Sequence, residues 1–553
     1  MTFSVKQIDK GGYYMKRFKK LTAGLMGVVM ALGVCGFTAL AEDDDTTKEI
    51  DSNEDLVNAI KNQKDGQTWI LAKGEYDVYN GENGGAYNFS IKSDPDKPEE
   101  TGFAFPITAN NLTIKAEDGA DVTITSSYNP DATQGGVWRN QNFITISGEG
   151  VTIEGIDIKG NPNAYYDGTC NKAIELVGGG KNLKLRDVEI LPVEGDNGAN
   201  SGSIYFSVTD AGDTVLENVT VHSFISGWNV SSGTIKAENV ELDLTGNRHA
   251  GDNKYSFGIN VPENSTKIDG LTIKVDDTCN IEEQVFNENL KDGTTIELEE
   301  EGTYKTNKSI TINKDVNIVG NGSTISAKTD LNVNGNENGS KGAIEINGGA
   351  NVKIEDVTVE GNNNVKHVVN IYSGKDNELA TVELDGVTLK DGIGYGIVNN
   401  SSNLVIKDVE TSGNDWGGIN VDNKYNVSES DFVMESGNIT ENTSIKVEKS
   451  VYNENDGITK VTINGGEIKG NVEVKEQTDV TINGGTFDGE IMAVNKENVN
   501  IVSGNFKTDV SDYIAEGSHI VEIYGEYVVM DEDEYLDDER DSHRHSYSLK
   551  EGK

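Results

Sequence analysis

The sequence predicts an all-β chain folded as a parallel β-helix solenoid, and three observations predict it. First, apolar residues recur as two short alternations separated by an odd step: Val151, Ile153, Ile156 and Ile158 fall at n, n+2, n+5 and n+7. The spacing returns at Leu183/Leu185/Val188/Ile190, Ile235/Ala237/Val240/Leu242, Val352/Ile354/Val357/Val359 and Val382/Leu384/Val387/Leu389, with looser copies from Thr214, Thr266, Leu404, Phe432, Val461, Val480 and Val499. Second, n+4 is Gly, Asn or Asp in ten of these twelve copies: Gly155, Asp187, Asn218, Asn239, Gly270, Asp356, Gly386, Asp408, Gly465 and Gly484, with Ser436 and Ser503 as exceptions. Third, only 35% of residues are hydrophobic, beside 63 Gly and 7 Pro, so the core must be thin and continuous, as in a solenoid.

The physics links these observations. Steps of two place alternate side chains on one face of a strand. A step of three would turn the second pair outward, unless the backbone bends between the pairs. Gly, Asn and Asp best tolerate the positive φ of such a bend. A strand–corner–strand unit cannot bury its inner face alone, whereas stacked units can. The most regular coils start at 461, 480 and 499, nineteen residues apart. Stacking would set Asn over Asn at the corners, where their amides can form ladders.

In chain order, residues 1–41 read as a signal peptide. Lys16, Arg17, Lys19 and Lys20 form a basic head, residues 21–40 are apolar, and Ala39-Leu40-Ala41 supplies the small-x-small pattern before cleavage at Glu42. The alternative is a retained membrane anchor. Translation is expected to start at Met15, because residues 10–14 can be encoded by a purine-rich ribosome-binding site. Residues 42–277 are read as a first β-helix, opened by an amphipathic capping helix carrying Leu56, Ala59 and Ile60. A similar segment at 282–304 opens a second β-helix, residues 278–529. ITISGEGVTIEGIDIKGN at 144 matches IEINGGANVKIEDVTVEGN at 344, and FGINV at 257 echoes GGINV at 417. A tandem duplication is the expectation, and one continuous helix with an embedded capping segment is the alternative. Phe506, Tyr513, Ile514, Val521 and Tyr527 are expected to close the C-terminal end, followed by a charged, disordered tail at 530–553.

These coils resemble the pectate-lyase-like superfamily of right-handed parallel β-helices over nearly the whole chain after residue 41. The closing segment resembles that of Gram-positive secreted or cell-surface β-helix proteins. The resemblance implies the fold. It does not imply one activity, because the scaffold carries many.

Charge narrows the partners. Asp and Glu total 93 against 47 Lys and Arg, a net charge of −46, which argues against nucleic acid and anionic membrane surfaces. Insertions in solenoids fall on loops, and the first copy has the longer loops, at 126–142, 160–172, 191–202 and 245–256. They carry Trp138, Arg139, Tyr165, Tyr166 and Asp167, the candidate saccharide-binding set. Polysaccharide lyases of the resembled superfamily use a basic residue with calcium, so Arg248 or His249 is the candidate base. Calcium is then a possible cofactor, with Asp167, Asp196 and Asp252 as candidate ligands. No lyase or polygalacturonase-type motif accompanies them, and the alternative is that the aromatics fold back to cover the coil. His222 and His367 each stand alone on presumed turns and are expected to be solvated. Cys170 and Cys279 either pair or remain thiols. The favoured function is a monomeric, extracellular, non-catalytic adhesin or glycan-binding protein that takes a polysaccharide or cell-surface glycan. The alternative is a secreted polysaccharide lyase or glycoside hydrolase.

Overall fold

A computed structural model of the chain describes residues 46–78, 105–125, 143–159, 172–191, 203–222, 224–227, 229–245, 258–328, 342–373, 378–424, 430–450, 458–531, 533 and 535–536. Residues 1–41 and most of the tail therefore lie outside the described residues. The chain is a parallel β-helix, all-β as the spacing predicts. Its two arms per coil stack in register on the next coil, so that Ile153 pairs with Leu185, Leu185 with Leu216 and Leu216 with Ala237 on the first arm. On the second arm Ile158 pairs with Ile190, Ile190 with Val221 and Val221 with Leu242.

A third side completes each coil. In the first half it is a six-stranded parallel sheet running from Phe105–Ile107 to Ile259–Asn260. In the second half it is an eight-stranded sheet from Ile310–Ile312 to Ile491–Ala493. Register here builds an inward column of Phe105, Ile144, Ile174, Ile204, Ile225 and Ile259, each at most 1% exposed. Each such side chain contributes about 1.5–3 kcal/mol by leaving water. One continuous buried cluster runs from Ile50 to Val529.

Most corners turn where the pattern puts them. Gly155, Asp187, Asn218, Asn239, Gly270, Asp356, Gly386 and Asp408 have φ between 48° and 85°. The last four copies differ. Ser436, Gly465, Gly484 and Ser503 do not take positive φ, and the next residue does: Gly437, Gly466, Gly485 and Gly504, at 147°, 107°, 106° and 142°. The cause lies in the sequence at n+5. Earlier coils have a branched apolar residue there, such as Val188, and the later ones have glycine, which adopts that conformation without strain. Asn stacks on Asn as expected, with Asn239 donating to Asn218 at 2.7 Å and Asn483 to Asn464 at 2.9 Å, and Asn218 continues the first ladder onto the Asp187 carboxylate at 3.2 Å.

Both expected capping segments contain helices. Asn53–Lys61 starts at Ser52, whose Oγ accepts from the Asp55 amide at 3.2 Å, and Leu56, Ala59 and Ile60 are buried against the coil. The second, Ile281–Gln284, is a single turn. Between the halves one face is continuous. Leu271 on a second arm pairs with Thr294, which pairs with Val316 on a first arm. The second half is thus turned by one face, and the third-side sheets do not join. The C-terminal end closes with an antiparallel hairpin, Ser518–Ile523 with Glu526–Asp531, whose second strand also pairs antiparallel with Gly504–Phe506. Phe506, Tyr513, Ile514 and Tyr527 pack there as expected, joined by Ile520 and buried Val529, while half-buried Val521 is not part of that cluster. Among the described residues, no helix is long and apolar enough to cross a membrane.

Candidate functional site

Trp138, Arg139, Tyr165, Tyr166, Asp167, Asp196, Arg248, His249 and Asp252 all lie outside the described residues. The strands that flank their segments are described, and register brings those strands together. Segment 126–142 leaves the second arm after Val122–Thr125, and segment 160–171 leaves after Asp157–Lys159, which pairs with it. Segments 192–202 and 246–257 leave the same arm after Lys184–Leu191 and shortly after Ser232–Asp243. Each returns on the six-stranded third side. Segment 79–104 follows the same path from Gly74–Asp77 to Phe105–Ile107. Five long connections are therefore rooted along one edge of the stack.

A polar strip lines that edge at the ends of the second-arm strands. His222 follows Val221, and the imidazole lies between two carboxylates: Nε2 is 3.1 Å from Glu189 Oε1, and Nδ1 is 3.5 Å from Asp243 Oδ2. Its side chain is only 10% exposed, so the expectation of a solvated histidine is overturned. The reason is stacking: neighbours about 4.8 Å apart on adjacent strands enclose a ring that looks isolated in sequence. Two coils further, Lys274 repeats the arrangement, with Nζ 3.0 Å from Glu241 and 4.0 Å from Glu297. The strip then opens into a cavity of about 430 Å³ lined by Lys274, Glu297, Glu299, Glu300, Asn321 and Asp356. Such a surface offers hydroxyl-rich ligands many acceptors, and it offers acid–base chemistry an imidazole and an ammonium. No described group of three or more His, Cys, Asp or Glu side chains is arranged to hold a metal ion.

No protein-family profile matches the sequence, and no curated protein does. Among solved structures, a variant of sacteLam55A from Streptomyces sp. SirexAA-E, determined in complex with glucose, is similar at 11% identity. The match covers 91% of this chain and 100% of that one, with a TM-score of 0.22. A likeness that low carries no argument. The fold rests on strand pairing alone.

The second half holds an aromatic group that the sequence reading passed over. His367, Tyr395 and Trp416 begin or precede successive third-side strands, with all three ring centroids 6.0 Å apart. His367 is stacked on Tyr395, and Trp416 meets both edge-on. Lys366 Nζ lies 4.9 Å from the Trp416 ring centre. His367 is 6% exposed, not solvated, and burial together with Lys366 pushes its pKa down to about 4. Neutral at ordinary pH, its Nδ1 accepts from the Tyr395 amide at 3.1 Å. Burial, with Glu448 and Glu473, raises Tyr395 to about 12. The sequence signal was an aromatic or histidine at or just ahead of the start of three successive third-side strands, invisible without their register. Cys279 is described and its thiol is pushed up by burial, then by Asp276 and Glu282. Cys170 lies outside the described residues.

Proposed function

We propose that this chain is a secreted or surface-associated carbohydrate-binding β-helix protein of the pectate-lyase-like type, non-catalytic and adhesin-like. The observation that carries the reading is the common edge, lined by a polar strip, at which the strands flanking five long connections are rooted. In β-solenoids insertions concentrate on a binding face, and these connections include Trp138, Tyr165 and Tyr166, whose ring faces suit sugar C–H groups. The test is incubation of the full chain with plant, host and bacterial polysaccharides, following both binding and release of unsaturated or reducing ends. Trp138→Ala, or Tyr165→Ala with Tyr166→Ala, is expected to weaken binding by about 1 kcal/mol per stacking contact, with an unchanged melting temperature. Retained binding in these variants, with loss on deletion of 280–529, would move the site to the second half.

A second reading, a polysaccharide lyase or glycoside hydrolase, is favoured by His222 and Lys274, each set between two carboxylates at the base of the same edge. Arg248 or His249 would join them, with calcium held by Asp167, Asp196 or Asp252. His222→Ala or Arg248→Ala would then lower turnover by about two to four orders of magnitude with binding retained. A binding protein shows no turnover to lose.

A further inference from the structure

We infer that the ledge formed by His367, Tyr395 and Trp416 is a second saccharide site, remote from the loop-bearing edge, and that it takes a neutral pyranose ring of a polysaccharide. The inference rests on the carbohydrate-binding reading and extends it to the other half of the chain. Trp416 is 52% exposed, whereas most of the other large aromatics among the described residues are buried or half-buried. Water contact with an indole has a free-energy cost, and this indole is not loose. Its amide donates to Gly394 O at 3.0 Å, and its ring is held edge-on by two others.

The corner beneath is braced. Asn414, 4% exposed, donates to Leu389 O at 3.2 Å and to Glu441 Oε1 at 2.6 Å, and accepts from the Gly392 amide at 2.8 Å. Glycines make room for the rings: a Cβ on Gly394 would lie 2.7 Å from His367 Nδ1, and one on Gly417 would lie 2.9 Å from Tyr395 Cε1. Residues 361–366, 391–394 and 413–416, which lead from the second arm into these third-side strands, are short and fully described. A rigid, exposed aromatic on regular structure is the arrangement a pre-organised site requires.

The chemistry selects the ligand. An indole face accepts the C–H face of a pyranose, while Lys366 can donate to ring hydroxyls and exposed Asp415 can accept from them. The net charge of −46 repels polyanionic chains, which leaves neutral sugars.

The test titrates cellohexaose, xylohexaose and mannohexaose into the full chain and into Trp416→Ala, Trp416→Tyr and Trp138→Ala. Saturation-transfer NMR gives the affinities, and a thermal melt checks each fold. The expected result is that at least one sugar binds, that Trp416→Ala weakens it about fivefold or more, and that Trp416→Tyr retains most of the affinity. Binding undisturbed by Trp416→Ala but lost in Trp138→Ala overturns the ledge and leaves the carbohydrate reading standing. Binding of none of the three sugars by the wild-type chain overturns the ledge. Failure with the wider polysaccharide panel as well is what removes the parent reading.

Discussion

At Gly437 one methyl group distinguishes two ways of turning a corner. Its φ is 147°, and an added Cβ would lie 2.4 Å from Val409 O, a backbone atom that cannot give way cheaply. Ser436, the n+4 residue of the same coil, instead hydrogen-bonds through its hydroxyl, accepting from the Asp408 amide at 2.9 Å and donating to Asp408 Oδ1 at 2.7 Å. Gly437→Ala is therefore expected to destabilise by more than about 2 kcal/mol, from backbone strain and overpacking together. Ser436→Ala is expected to cost about 1 kcal/mol, the net worth of a hydrogen bond. Urea denaturation of both variants checks this, and equal losses would mean the strained position is misassigned. The exchange was open to reading, because glycine replaces a branched residue at n+5 in each of the four late coils. Attention to n+4 alone hid it.

For whole strands, parity is the claim at stake. Ile153 is 1% exposed, pairs with Ile114 and Leu185 and points into the coil, whereas Thr152 points out. Ile153→Lys puts an unpaired ammonium into an apolar column and is expected to cost about 4 kcal/mol or more. Thr152→Lys should stay within about 0.5 kcal/mol of wild type. Thermal melts of the pair decide it, and similar damage from both would contradict the inward and outward assignment. Arms were legible because their alternation is clean. The strand Val316–Ala327 escaped because Gly320, Asn321 and Gly322 lengthen its corner, so its buried apolar residues fall at 316, 318, 325 and 327 instead of the common spacing. Third-side strands were hidden for another reason: some, such as Ile225–Ser226, are two residues long, too short to show a period.

Across the whole molecule, register brings together what the chain separates. Glu189 and His222 lie 33 residues apart and touch, so the edge could be anticipated from insertions while its base could not. The same stacking concentrates charge. Coils repeat every ~4.8 Å, and the full chain carries a net charge of −46. Ion pairs offset part of this, such as Lys353 with Glu355 at 2.8 Å and Lys407 with Glu383 at 2.9 Å. These pairs are partly exposed, and each is worth only about 0–1 kcal/mol. Repulsion among the surplus carboxylates acts at longer range, and the folded stack suffers it more than the expanded chain does. Raising ionic strength from about 0.01 to 0.15 M shortens the screening length from roughly 30 to 8 Å, which spares contact pairs and removes repulsion between distant coils. Added NaCl in that range is therefore expected to raise the melting temperature by about 2 °C or more, a gain on the order of 1 kcal/mol. Differential scanning calorimetry at the two salt concentrations measures it. A fall in melting temperature would show that the ion pairs outweigh the surplus charge.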